Sequence, residues 1–268
     1  MAHLKRWLTA IVAIPILIYV IGIGPRWLFH ALVCLAALVA LWEYCDIALP
    51  RLPIPMRFTA LFLAILLFNT MAQGPFFMIL SILASWVIVL SALRLFAYPD
   101  RRDQAVDDVA KTVLGLVYVC LPLALLLMID KHPQGSLWVF FLLTIIFAND
   151  TGAYYAGRLL GKHKLHPSVS PNKTWEGTFG GIFMSVAGSY AFVLIFPLFK
   201  TDLNRILITV TMAVFGQIGD LTESLLKRNY GRKDAGKILP GHGGLLDRID
   251  GLLFGIPVLY TYLSWSIA

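Results

Sequence analysis

Asp220, Glu223, Ser224 and Lys227 are spaced by threes and fours, so on a helix they form one polar stripe. Asp247 and Asp250 lie three apart and share a face of whatever helix follows. Between these two acidic groups runs a basic, glycine-rich segment: Lys227, Arg228, Arg232, Lys233 and Lys237, then Gly241-His242-Gly243-Gly244. Converging carboxylates suit a hard divalent cation, and magnesium in particular is held by one or two carboxylates together with substrate phosphates. Lysine and arginine side chains, and backbone N–H groups exposed by glycine, suit phosphate oxygens. Acids for a metal beside bases for phosphate is the arrangement expected of nucleotidyl or phosphoryl transfer.

Each of these residues also has a plainer reading. Basic residues at a helix end anchor topology and lipid headgroups. Glu223 and Asp250 are placed to neutralise Lys227 and Arg248. His242 is open to three roles: proton carrier, phosphate contact or turn residue. A second polar cluster lies upstream, where Asn149-Asp150 sits about 12 Å inside the end of an apolar segment at about 1.5 Å per residue. Asp150 either completes a metal site, holds a base or pairs with Arg158. The loop beyond it contains Ser170-Pro171-Asn172-Lys173-Thr174-Trp175-Glu176-Gly177, in which Lys173 is placed to meet a phosphate and Trp175 to anchor at the membrane interface. Gly177, Gly181, Ser185 and Ser189 recur every four residues, the mark of a helix-packing stripe.

The elements that must position these groups follow from composition. Of 268 residues, 59% are hydrophobic and 14% charged, and mean hydropathy is +0.77. Soluble domains carry roughly 45–50% apolar and about 25% charged residues. That apolar excess needs lipid as its solvent, and lipid requires helices because it offers no partner to unpaired backbone groups. Nine spans are predicted: 7–24, 27–48, 58–73, 76–97, 113–129, 137–157, 178–199, 205–225 and 246–266. The first resembles a secretory leader but lacks a small-x-small cleavage site, and it is read as a retained helix. The third is short for a span. Cys34, Cys45 and Cys120 fall singly in apolar runs and are read as buried small side chains rather than disulfide or zinc ligands.

With nine spans, 18 of the 22 Lys and Arg residues fall on one side of the membrane and 4 on the other. The positive-inside rule assigns the rich side, which holds the N-terminus and both long polar loops (158–177 and 226–245), to the cytoplasm. Three regions are expected: N-terminal helices over 1–97, middle helices and cytoplasmic loops over 98–177, and C-terminal helices carrying the chemistry over 178–268. The fold class is all-α and polytopic, with no partner role for nucleic acid.

The run Ser224-x-Leu226-Lys227-Arg228-x4-Lys233-Asp234-x-Gly236-x2-Leu239-Pro240-x-His242-Gly243-Gly244-Leu245-x-Asp247-Arg248-Ile249-Asp250 resembles the signature of the phosphatidate cytidylyltransferase (CDP-diacylglycerol synthase) family across 27 residues without departure. Asn149-Asp150-Thr151-Gly152-Ala153-Tyr154 and the stretch from Ser170 to Gly177 resemble it too, whereas the first hundred residues match only as generic spans. The resemblance implies a magnesium-dependent homodimer of the cell inner membrane. Its cavity would open to the cytoplasm, and it would make CDP-diacylglycerol and pyrophosphate from CTP and phosphatidic acid. By match to the motif, Asp220, Asp247 and Asp250 are the expected metal ligands. Lys227, Arg228, Lys233 and His242 join Asp220 and Asp247 as expected catalytic residues. Asp150, Asn172, Lys173, Ser224, Arg232, Gly243 and Gly244 are expected to bind substrate. The rival readings are a CTP-dependent lipid kinase and, from a different class, a transporter.

Overall fold

A computed structural model describes residues 14–74, 77–97, 104–199, 201–236 and 243–267. Nine helices run through these residues. They are α1 (Ile14–Ile23), α2 (Arg26–Ala48), α3 (Ile54–Gln73), α4 (Met78–Ala97), α5 (Ala105–Asp130), α6 (Gly135–Leu160), α7 (Trp175–Ile195), α8 (Asp202–Asn229) and α9 (Leu246–Ile267). The helices α2 to α8 are each long and apolar enough to cross a membrane. This is the multi-pass, nearly all-α architecture that composition demands.

Each predicted span overlies a helix, and the differences have local causes. Residues 7–13 of the first span lie outside the described residues. The third helix has 20 residues, as many as α4, because it begins at Ile54 and takes Pro55 into its first turn. Proline's fixed φ and missing N–H cost nothing there. The fifth helix starts at Ala105, well before residue 113. Asp107 and Asp108 fall in its first turn, where carboxylates oppose the helix dipole. The loop after α6 contains a small antiparallel pair, β1 (Lys164–His166) with β2 (Ser170–Thr174), which hydrophobic periodicity does not reveal.

The chain divides into two compact units, one of residues 1–128 with 234–246, the other of 129–233 with 247–268. In the first, Leu41, Tyr44, Met56, Leu67, Trp86, Leu90 and Leu116 form a fully buried core. Two arginines counted in the sequence only as topology markers are ligated inside it. Arg57 pairs with Asp46 and donates to the carbonyl of Leu49 at 3.1 Å, closing the C-terminal end of α2. Arg94, 2% exposed, meets Asp108 at 3.3 Å and ties α4 to α5.

In the second unit α6 and α7 pack closely along the small-residue stripe. Gly177, Gly181, Ser185 and Ser189 are all buried, and Ser185 donates to the carbonyl of Ile145 at 3.0 Å. The stripe is a packing surface, as its spacing suggests. An aromatic cluster of Trp138, Phe141, Phe199 and Tyr262 closes the N-terminal end of α6, with Trp138 and Phe199 centroids 5.1 Å apart. Polar chemistry is thereby left to the other end of this unit.

Candidate active site

The turn of chain entering α7 fixes Lys173. Thr174 is the N-cap of that helix and accepts from the N–H of Gly177 at 3.1 Å, as a threonine at this position does. Glu176, in the first turn, accepts from the backbone N–H of His163 at 3.2 Å and meets its ring Nδ1 at 2.6 Å. The β1–β2 pair and this cap hold Lys173 on the last turn of chain before the helix. Its ammonium reaches Asp220 Oδ2 at 2.5 Å.

Asp220 sits on α8 among the stripe that the spacing predicts. Ser224 Oγ lies 3.5 Å from Asp220 Oδ1. One turn deeper, Gln217 donates to Asn149 Oδ1 at 2.8 Å and to the carbonyl of Thr178 at 3.1 Å, while Asn149 donates to the carbonyl of Ala213 at 3.3 Å. These amide bonds lock α6, α7 and α8 together directly beneath Asp150 and Asp220. Asp150, Tyr154, Arg158, Asn172, Lys173 and Gln217 line a cavity of about 510 Å³ together with Asp220. Arg158 donates to the Tyr154 hydroxyl at 3.0 Å, and no ion pair joins it to Asp150 among the described residues.

A second ionic cluster joins α8 to α9. Lys227 pairs with Glu223 on its own helix and with Asp247 Oδ1 at 2.6 Å. Glu223 is 1% exposed and Lys227 and Asp247 12% each. The plainer reading of Glu223, neutralising Lys227, therefore describes its position. Lys227 has two carboxylate partners and serves as the bond between two helices. The helices run antiparallel, and Gly219 permits their approach: a Cβ there would stand 2.5 Å from the carbonyl oxygen of Asp250. Asp250 Oδ1 accepts from the N–H of Gly251 at 2.7 Å.

Asp150, Asp220 and Asp250 lie close enough to sense one another's charge, with Lys173 acting on both Asp150 and Asp250 and Arg248 on Asp150. Among the described residues no three His, Cys, Asp or Glu side chains gather tightly enough to hold a metal ion unaided. Of Asp150, Asp220 and Asp250, the first two line the cavity with Lys173. Asp247 is held by Lys227.

The C-terminal end of α8 explains where the basic segment goes. Gly231 takes φ +66°, the N–H of Arg232 returns to the carbonyl of Lys227 at 2.8 Å, and that of Gly231 returns to Arg228 at 3.1 Å. This is the Schellman stop, which needs a left-handed residue. Arg228 donates to the carbonyl of Val169 at 3.4 Å and to that of Arg232 at 3.3 Å. Arg232 and Lys233 are exposed. Gly243 and Gly244 belong to the first unit, and His242 lies outside the described residues.

The comparison with known proteins decides the family. A model of the cytidylyltransferase family matches residues 4–266. The chain belongs to the cytidylyltransferase family. Proteins named phosphatidate cytidylyltransferase resemble it over nearly their full length. The one from Staphylococcus epidermidis is 36% identical over 262 residues, covering 96% of this chain and 98% of its own. That from Bacillus subtilis is 35% identical over 263 residues, covering 97% of each. Membership thus extends through the first hundred residues, which carry no motif of the family that sequence reading detects. Of the supporting groups, Asn149 stands in the sequence cluster beside Asp150 without a role of its own, and Gln217, one turn before Asp220 on the same face, was missed. Position alone pointed to them.

Proposed function

We propose that the chain transfers the cytidylyl group of CTP to phosphatidic acid, giving CDP-diacylglycerol and pyrophosphate. The observation that carries this reading is the cavity in which Lys173 and Asp220 meet, built from the motifs that resemble the family and lying in a chain matched by that family from end to end. The phosphate oxygen of phosphatidate attacks the α-phosphorus of CTP, a new P–O bond forms, and the bond to the β-phosphate breaks with its electron pair leaving on pyrophosphate. No protein nucleophile is needed, because the attacking phosphate is already anionic. The obstacle is repulsion between two polyanions, so the protein's contribution is charge neutralisation and alignment.

Lys173 holds a substrate phosphate, exchanging its bond to Asp220 for one to the ligand. Asp220 and Asp250, with Asp150 beside them, are the residues that would hold Mg²⁺. When bound, that ion supplies Lewis-acid polarisation of the α-phosphate and offsets its charge. Lys227 keeps α8 and α9 in register rather than offering a free charge. Arg228, Arg232 and Lys233 at the open end of α8 receive the departing pyrophosphate. The charge asymmetry of the loops supports a cytoplasmic orientation in the cell inner membrane, and the family resemblance supports a homodimer.

The test is purified protein with CTP, phosphatidate and Mg²⁺, with lipid and soluble products separated by chromatography. CDP-diacylglycerol with equimolar pyrophosphate is expected. CDP with a phosphorylated lipid would mark a kinase, and no turnover in the presence of both substrates would overturn the reading. A transporter would be expected to carry acidic residues through both halves of the membrane, whereas the acids within α6 and α8 beyond the first turn, Asp150, Asp220 and Glu223, gather toward one end.

A further inference from the structure

Glu43 lies in α2, within a span whose sequence shows no chemistry, yet its side chain is enclosed at 2% exposure. Both of its oxygens are engaged by a segment 200 residues away in sequence. The N–H of Leu245 donates to Oε1 at 3.1 Å and the N–H of Leu246 to Oε2 at 2.8 Å. Two glycines wrap the same carboxylate. A Cβ on Gly244 would come within 2.7 Å of Oε2, and a Cβ on Gly236 would strike Oε1. Leu246 is the first residue of α9, so Glu43 caps this helix from another part of the chain, satisfying N–H groups that have no partner within it and opposing its dipole.

The next residue is Asp247, and Asp250 follows one turn later. Resting on the cytidylyl-transfer reading, we propose that Glu43 is a positioning residue for the reaction: its carboxylate fixes where α9 begins and thereby sets the direction of the Asp247 and Asp250 side chains. Glu43 touches no substrate. It acts only through the two backbone N–H groups, and the glycines at 236 and 244 keep room for it. A residue that merely filled space here would be replaced by glutamine at little cost to chemistry. A positioning residue would not, because an amide offers one acceptor where the carboxylate offers two, and turns an N–H toward an N–H.

The experiment compares the purified full chain with Glu43→Gln and Glu43→Asp. It reads kcat, KM for CTP, the Mg²⁺ concentration for half-maximal rate, and hydrogen exchange of the 243–250 backbone amides. In Glu43→Gln, kcat should fall about 10- to 100-fold, the range for outer-shell groups that orient metal-binding side chains. The Mg²⁺ requirement should rise, KM for CTP should change little, and the Leu245 and Leu246 amides should exchange faster. Glu43→Asp, which retains two acceptors on a shorter arm, should recover part of both effects. A folded Glu43→Gln with normal kcat and Mg²⁺ requirement overturns the inference, as does activity lost only in proportion to folded protein. If Glu43→Gln does not fold, Glu43→Asp decides, and faster exchange at both amides with unchanged kinetics overturns it. Wild-type protein that makes no CDP-lipid would instead remove the underlying reading.

Discussion

Lys173 and Lys227 carry the same functional group, and their surroundings assign them different work. Lys173 has one carboxylate partner and lines the cavity. Lys227 has two partners and is nearly buried with them. Lys173→Ala should therefore leave the melting temperature close to wild type and reduce kcat/KM by about 10- to 100-fold in steady-state assays, the loss expected of one charge-assisted bond to phosphate. Lys227→Met should act on stability. Stranding Glu223 and Asp247 without their cation is expected to cost about 3–5 kcal/mol, visible as a lower melting temperature in detergent, and Glu223→Gln in the same chain should restore part of it. The stripe that holds Asp220, Glu223, Ser224 and Lys227 was legible in the sequence because helical spacing alone defines a face. Which lysine faces the cavity was not legible, because α9 and the β1–β2 pair decide it, and both are remote in sequence.

At the scale of elements, the site depends on how closely α9 can lie against α8. Gly219 marks the closest approach. Gly219→Val should force the helices apart, costing about 1–3 kcal/mol as overpacking generally does. Because Asp250 lies at that contact, activity should fall by a larger factor than the folded fraction, which parallel melting and rate measurements would separate. Equal losses would mean that the contact serves stability alone. Helix positions were readable from apolar runs bounded by proline, glycine and charge. The early start of α5 and the strand pair of 164–174 were not. The first places charged residues in a helical turn, and the second is too short to show a period of two.

For the whole molecule, the distribution of Lys and Arg predicts which membrane face bears the chemistry, and the loop joining α6 to α7 supplies a probe. Lys164 is exposed on β1. Cys34, expected buried, is only half-buried, so a chain with Lys164→Cys and Cys34→Ala should react with a membrane-impermeant maleimide in inverted vesicles and not in intact cells, while Cys45 and Cys120, both buried, remain silent. Labelling from outside would reverse the orientation. The apolar excess and the nine helices among the described residues, seven of them long and apolar enough to span, were legible at this scale because lipid constrains a sequence more tightly than water does. The role of the first hundred residues was not, since Glu43, Arg57 and Arg94 act through contacts with no local pattern.

The most direct test supplies CTP labelled with radiophosphorus at either the α or the γ position, with phosphatidate and Mg²⁺, to the wild-type protein and to Asp220→Asn. Label from the α position should enter the lipid, label from the γ position should leave in pyrophosphate, and Asp220→Asn should reduce both by at least about 100-fold, as loss of a principal charge-stabilising group does, while remaining folded in the membrane. Label from the γ position in the lipid, or full activity in Asp220→Asn, would contradict cytidylyl transfer at this site.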